Sequence, residues 1–114
     1  MPLVNLTSNV EIAQNRKNSL LKQLSTATSE CLGKSENYVM VMIRTEQNML
    51  FSGTGDATAF LEFKSIGLPE DRTGELSQKL CQLIGTALEI PQNRIYIEFS
   101  NANRHLWGWD GKTF

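Results

Sequence analysis

The chain has 114 residues, of which 40% are hydrophobic and 20% are charged, and its formal net charge is -1 at pH 7. This length predicts one domain with a small hydrophobic core, and the balanced charge argues against a nucleic-acid surface, which usually needs a basic stripe. No apolar run approaches the roughly 18 residues of a membrane span, and no secretory signal is visible, so we expect a cytoplasmic protein, with export by a route without a signal peptide left open.

The first half of the chain predicts a strand, a helix and a second strand. Residues Leu3–Ser8 alternate between apolar and polar, and residues 38–44 do the same. Between them lies a helix-spaced apolar stripe, which Gly33 would end. The stripe consists of Leu20, Leu21, Leu24, Ala27, Cys31 and Leu32.

The second half repeats this order. Residues 57–65 and 94–100 alternate like strands, and a second helical stripe lies between them. Pro69 and Asp71 stand where this helix should start, and Pro91 follows its end. The stripe consists of Leu76, Leu80, Leu83, Ile84, Ala87 and Leu88.

The two halves superpose with a shift of 56 positions, which places Leu20 on Leu76 and Leu24 on Leu80. We interpret them as two βαβ units, about 1–56 and 57–100, followed by a tail at 101–114. A helical crossover implies parallel strands within each unit and a right-handed connection. The pattern therefore predicts a single α+β (α/β) domain over residues 1–114, with a four-stranded mixed sheet and two helices on one face.

Such a fold leaves the other sheet face uncovered. Its alternate residues, Val39, Val41, Ile95 and Ile97 or the residues next to them, are too apolar for water. A partner subunit is the simplest cover, so we expect an oligomer.

The tail is rich in turn residues but apolar. Gly108 and Asp110-Gly111 predict a short hairpin. Docking onto the domain or a neighbouring subunit is the usual role of such a tail, and lining a ligand site is the alternative. The apolar residues are Leu106, Trp107, Trp109 and Phe114.

Few residues suggest chemistry. There is no glycine-rich phosphate loop and no metal-ligand cluster, and Cys31 and Cys81 have the spacing of neither a metal site nor a redox pair. His105 has no nucleophile to form a triad with. The remaining candidate is Pro2, whose nitrogen is a secondary amine if Met1 is removed and an amide without basicity if it stays.

Two lysines are expected to lie near the predicted first strand, Leu3–Ser8. Lys34 follows the first helix, where an exposed cation is also ordinary, and Lys64 ends a strand, where it could extend into water. For each residue considered separately the interpretation without a catalytic role is therefore favoured, and only their joint placement around the first strand favours chemistry.

Several stretches together resemble one family. MPLVNLTSNV, LGKSENYV, MLFSG, KSIG, RIYIEF and WGWDGKTF occur in the order and spacing of the macrophage migration inhibitory factor family, of the tautomerase superfamily. The similarity covers essentially the whole chain, and the WGWDGKTF ending is most similar to cyanobacterial and other non-animal members.

The resemblance implies a homotrimer with sheets around a central channel, removal of Met1, and Pro2 as the catalytic base. Lys34 matches the lysine that binds the substrate carboxylate, and Tyr96 matches a tyrosine supplied by the adjacent subunit. Further matches to the pocket of the family are Tyr38, Ser65, Ile66, Trp109 and Phe114. No cofactor and no metal are implied.

Such a pocket could activate a proline amine. Burial disfavours the ammonium form and lowers its pKa. A lysine about 5 Å away, at an effective dielectric of about 20, would add roughly 3 kcal/mol of repulsion, or about two pKa units. That change brings a secondary amine into the range of a general base.

The chain departs from the vertebrate pattern at several pocket positions. Glu98 stands for a neutral asparagine, Lys64 for a histidine, and Trp107 for a small aliphatic residue. Thr58 and Leu61 stand where those proteins have a CxxC pair, so a thiol–disulfide activity is not expected. Glu98 would repel an anionic substrate or select a different one, and Lys64 would partly offset it.

We therefore expect a keto–enol tautomerase of the phenylpyruvate or dopachrome type, acting on a small aromatic 2-oxo acid. The alternative is a cytokine-like signalling protein with a vestigial pocket and a receptor as its partner. A third interpretation is a small-molecule regulatory module of ferredoxin-like topology, which needs no free N-terminus. Neither nucleic acid nor a membrane is expected as a partner.

Overall fold

Two helices lie on one face of a four-stranded sheet, and a small hairpin follows at the C-terminus. The computed structural model describes residues 1–114. No helix has the length and apolar character needed to cross a bilayer. The elements in chain order are β1 (Leu3–Ser8), α1 (Gln14–Leu32), β2 (Met40–Arg44), β3 (Ala59–Ile66), α2 (Thr73–Leu88), β4 (Ile95–Ala102), β5 (Gly108–Trp109) and β6 (Lys112–Thr113).

The strand order is β2-β1-β3-β4. Strands β1 and β2 are parallel, β3 and β4 are parallel, and the two central strands β1 and β3 are antiparallel. Each parallel pair is joined through its own helix. This confirms the two βαβ units and the mixed sheet that the internal repeat predicts.

The hydrophobic core lies between the sheet and the two helices. Alternate residues of the central strands face the helices, and Val4, Leu6, Leu61 and Phe63 are completely buried there. The predicted helical stripes meet them with Leu20, Leu24, Leu76, Leu80, Ile84 and Leu88, all buried. Gly33, at φ 63°, ends α1 as predicted.

The predicted second strand, 38–44, begins two residues before the observed strand. Tyr38 belongs to a short 3-10 turn, Glu36–Tyr38, and β2 starts only at Met40. The hydroxyl of Ser35 accepts a hydrogen bond from the backbone N–H of Asn37 at 3.2 Å, which starts the turn. The apolar alternation extends across this turn, and the pattern alone cannot separate the two. Strands β3 and β4 also differ from the predicted 57–65 and 94–100 by one or two residues at each end.

The residues first predicted for the uncovered sheet face do not lie on it, whereas residues next to them in the chain do. Val41, Ile95 and Ile97 pack towards the helices, against the core, and Val39 precedes β2. A shift of one residue exchanges the two faces of a strand, and both faces of β2 are apolar. The open face carries Leu3, Asn5, Met40, Met42, Phe60, Glu62, Lys64, Tyr96 and Glu98.

The open face is polar at its centre. Glu62 accepts a hydrogen bond from the Asn5 amide at 3.1 Å and forms an ion pair with Lys64 at 3.1 Å. The Oδ1 atom of Asn5 is buried without a partner. On β4, the Ser100 hydroxyl donates to Glu98 at 3.4 Å. Apolar Met40, 61% exposed, lies at one edge.

Arg94 ties the loop before β3 to the start of β4. Its guanidinium lies 5.2 Å from the ring centroid of Phe51, and that ring meets Tyr96 edge-on with centroids 4.6 Å apart. The guanidinium also donates hydrogen bonds of 2.9 to 3.4 Å to the carbonyl oxygens of Phe51, Thr54, Asp56 and Ala57.

Replacement of Arg94 should therefore weaken the fold. We expect Arg94→Ala to lower the free energy of unfolding by about 2 kcal/mol, because it leaves several carbonyl oxygens without their charged donor. Urea denaturation measures the change. Arg44→Ala is the matched control, since the Arg44 side chain is exposed and makes no hydrogen bond or ion pair, and it should cost less than about 0.5 kcal/mol. Equal losses in the two variants would contradict this role.

Candidate active site

The start of the chain lies at the edge of a cavity. The backbone N–H of Met40 donates to the carbonyl of Pro2 at 3.0 Å, which is part of the Leu3–Met40 pairing of β1 and β2. The Pro2 side chain is buried. The cavity has a volume of about 310 Å³, within the size range of small-molecule pockets. It is lined by Met1, Pro2, Leu3, Tyr38, Met40, Trp107, Gly108 and Trp109.

The C-terminal tail forms the aromatic wall of this cavity. Strands β5 and β6 make the predicted hairpin, with its turn at Asp110-Gly111. The Trp109 ring stacks on Phe114 with centroids 5.7 Å apart and meets Tyr38 edge-on at 5.8 Å. The tail therefore docks on its own domain and lines the cavity at the same time, so the two roles considered for it are compatible.

Lys34 is held by the segment that ends β3. Its Nζ donates to the carbonyl oxygen of Ile66 at 2.8 Å, and the Ser65 hydroxyl donates to the same oxygen at 3.0 Å. Gly67 has a φ of 66°, and a Cβ built there would lie 3.9 Å from Nζ. Lys34 forms no ion pair. Its ammonium group thus has one anchored donor and two donors without a protein partner.

The surroundings of the N-terminus disfavour positive charge. Partial burial, together with the charges of Lys34 and Arg104, lowers the pKa of the Met1 α-amino group below its ordinary value. Met1 precedes Pro2 in this structure, so the proline nitrogen is an amide. An amine one residue further along would stand at a residue that is more deeply buried.

The fold brings together only part of the predicted site. Pro2, Lys34 and the aromatic residues Tyr38, Trp107, Trp109 and Phe114 gather at one end of the sheet, with Ser65 and Ile66 beneath Lys34. Lys64 pairs with Leu3 in the sheet register and therefore lies at the same end, on the open face.

Tyr96 and Glu98 are not part of the cavity within one chain. Tyr96 pairs with Phe60, which in turn pairs with Thr7 at the far end of β1. Tyr96 is 63% exposed, and Glu98 is exposed in the middle of β4. Either residue could reach a Pro2 cavity only in another copy of the chain.

Sequence reasoning missed two features of the site. Met40 lines the cavity because it pairs with Leu3 in the parallel register, and register is not readable from one strand alone. Arg104 contributes to the charge near Met1. Arg104 stands two residues before the LWGW stretch, but nothing in the sequence shows that its charge lies near Met1.

Other groups offer weaker sites. His105 is exposed in a short turn, both cysteines are free, and no cluster of metal-binding side chains is present. A cleft of about 350 Å³ lies between the helices. Its cations Arg72 and Lys79 are paired with Glu75 at 3.6 and 3.5 Å, and none of its titratable side chains is buried. The Pro2 cavity is therefore the stronger candidate.

Comparison with known proteins gives matches over the whole chain. The family profile described as macrophage migration inhibitory factor (MIF) matches residues 1–114. The macrophage migration inhibitory factor homolog of Trichinella spiralis is 36% identical over 115 residues, with 100% of both chains covered. The macrophage migration inhibitory factor of Rattus norvegicus is 32% identical over 115 residues, covering 100% of this chain and 99% of that one.

Solved structures also match the chain over nearly its whole length. The crystal structure of a macrophage migration inhibitory factor homologue from Prochlorococcus marinus is 43% identical, with a TM-score of 0.93 and 98% of each chain covered. This identity exceeds that of the two animal relatives, in line with the resemblance of the C-terminal stretch to non-animal members. The similarity extends over the full length in both sequence and fold.

Proposed function

The chain belongs to the macrophage migration inhibitory factor family and has the fold of the tautomerase superfamily, and from this premise we propose that it is a keto–enol tautomerase. In this proposal Met1 is removed and the Pro2 amine is the general base. The observation that carries it is the burial of Pro2 in a cavity with an aromatic wall, where the charge of Lys34 reaches the N-terminal amine and its ammonium keeps two free donors.

The environment favours a neutral amine at this position. The pKa of the Met1 α-amino group is lowered, first by burial and then by Lys34 and Arg104. After removal of Met1, the Pro2 nitrogen becomes the terminal amine in the same field and at a more buried residue. A lowered pKa leaves more of the amine unprotonated at neutral pH, which is the state that can accept a proton.

The proposed reaction moves one proton. The Pro2 amine takes the proton from the carbon next to the substrate carbonyl, the electron pair of the broken C–H bond forms the C=C bond, and the Pro2 ammonium gives the proton to the carbonyl oxygen to complete the enol; ketonisation is the reverse. The two free N–H groups of Lys34 hold the substrate carboxylate and offset charge that develops on oxygen. Tyr38, Trp107 and Trp109 suit an aryl group.

We further propose that three copies complete the site. Tyr96 and Glu98 are exposed on β4, far from the Pro2 cavity of their own chain, so an adjacent copy could present them to it. The open sheet face carries exposed Met40 and Met42, which such an assembly would cover. Glu98 would then select against a second anionic group at the far end of the substrate.

The test is turnover of phenylpyruvate by the protein with a free Pro2 amine, as established by intact mass. We expect the enol–keto conversion to be accelerated at least a hundredfold over buffer, since a positioned general base contributes about 10² to 10⁴. A rate equal to that of buffer, with the mature N-terminus present, would overturn the proposal.

A second candidate function is a cytokine-like binding protein with a receptor as its partner. The exposed carboxylate of Glu98 favours it, because this charge opposes an anionic substrate if it reaches the pocket. Specific receptor binding that survives Pro2→Gly, together with negligible phenylpyruvate turnover, would support it. Loss of that binding in Pro2→Gly would count against it.

A further inference from the structure

Arg104 lies next to the cavity but has no part in the function proposed above. Ala102 at the end of β4 pairs with Ile66, whose carbonyl oxygen accepts the hydrogen bond from Lys34. Arg104 follows two residues later, and its own carbonyl oxygen accepts a hydrogen bond from the N–H of Trp107 at 3.2 Å. It therefore stands between the anchor of Lys34 and the aromatic wall.

The guanidinium of Arg104 is unengaged. Arg16, Arg72 and Arg94 each donate to backbone carbonyl oxygens, whereas the exposed side chain of Arg104 makes neither a hydrogen bond nor an ion pair. Lys34 likewise has no carboxylate partner. Two cations without counter-ions thus lie near Met1, which lines the cavity.

The field of these two cations reaches the start of the chain. Both Lys34 and Arg104 lower the pKa of the Met1 α-amino group, so the three positive centres oppose one another. A bound anion would relieve that repulsion, and the planar guanidinium can grip a carboxylate through two parallel hydrogen bonds. Lys34 alone acts as a point charge.

We propose that Arg104 is a second anion-binding residue of the Pro2 cavity, and that Lys34 and Arg104 together hold the carboxylate of the substrate. The ligand class is therefore the ionised aromatic 2-oxo acid, and its neutral esters and amides bind poorly. The identity of the substrate rests on the proposed tautomerase function, but the binding of the carboxylate does not.

A binding experiment separates the two proposals. The protein lacking Met1 is titrated with 3-phenylpropanoate, a carboxylate that cannot tautomerise, and with 3-phenylpropanamide, while the fluorescence of the cavity tryptophans is followed. The variants are Arg104→Gln, Arg104→Lys and, as a matched control, Arg44→Gln. Arg44 is also unengaged, but it pairs with Thr7 at the opposite end of β1.

We expect Arg104→Gln to raise the Kd of 3-phenylpropanoate about tenfold, in keeping with the loss of a charge-assisted hydrogen bond. The Kd of the amide should change less than twofold, Arg104→Lys should recover part of the loss, and Arg44→Gln should have no effect. Equal effects of Arg104→Gln and Arg44→Gln, or equal effects on the acid and the amide, would overturn the inference. If the acid binds in this way but phenylpyruvate is not turned over, the inference stands and the tautomerase proposal fails.

Discussion

Retention of Met1 is expected to reduce phenylpyruvate tautomerisation to the rate of buffer. With Met1 in place the Pro2 nitrogen is an amide without basicity, and Met1 itself lines the cavity. A loss of about 10² to 10⁴ in kcat/KM matches the usual contribution of a general base. The blocked form can be prepared by inhibiting methionine aminopeptidase during expression, and intact mass gives the fraction that retains Met1.

Pro2→Gly is the companion variant. It keeps a free terminal amine but makes it primary and removes the buried ring, so we expect a rate between those of the mature and the blocked protein. Circular dichroism controls for folding, since neither change alters the sheet register. Equal rates in the mature, blocked and Pro2→Gly forms would rule out Pro2 as the base.

Phe63→Ala is expected to lower the free energy of unfolding by about 3 to 5 kcal/mol. Phe63 is completely buried in the middle of β3 and meets Phe99 edge-on, with ring centroids 5.7 Å apart. Its removal leaves a cavity between the sheet and both helices. For a domain of this size the loss is a large part of the total stability. Urea denaturation at one fixed protein concentration measures it, because subunit association would add a concentration-dependent contribution.

Two controls bracket this result. Phe63→Leu keeps most of the apolar volume and should cost less than about 1.5 kcal/mol. Leu50→Ala, at a residue that is 77% exposed, should cost almost nothing. If Phe63→Ala cost no more than Phe63→Leu, the packing described for the core would be incorrect.

The architecture could be predicted because its signals are local and repeated. The alternation over Leu3–Ser8 gives β1 with its correct bounds, and Gly33 ends α1 because a left-handed residue is needed there. The shift that places Leu20 on Leu76 predicts both crossovers, and the crossovers predict the strand directions. Each of these inferences needs only neighbouring residues and the handedness rule.

For the edge strands, the sequence does not show which alternate residues face the helices and which face the open side. In β2 both faces are apolar, with valine and isoleucine towards the helices and Met40 and Met42 towards the open face. The apolar–polar alternation is then too weak to separate the two faces of the strand, and only tertiary packing decides which residues are buried. The alternation places Tyr38 in a strand for a related reason, because the turn that holds it begins with a hydrogen bond from the Asn37 N–H to the Ser35 hydroxyl.

Sequence motifs point to some residues of the candidate site, whereas other residues are recognised only through contacts between distant parts of the chain. The resemblance pointed to Pro2, Lys34 and the tryptophans, and the fold gathers these at one end of the sheet. Arg104 cannot be identified from the sequence, because its position near the cavity depends on the pairing of Ala102 with Ile66, a contact between distant parts of the chain. The hydrogen bonds from Arg94 to the loop carbonyls also join distant parts of the chain, and the local sequence pattern does not predict them.

The proposed mechanism requires the Pro2 amine to be neutral at neutral pH, through its burial and the two nearby cations. The most direct measurement is an NMR titration of the mature protein with ¹⁵N-labelled proline, following the terminal nitrogen. The proposed mechanism predicts a titration midpoint below the 7.7 to 8.0 of an ordinary α-amine, with kcat/KM rising through the same pH. A midpoint at or above about 8 would leave the amine protonated in the working range and would rule out this mechanism.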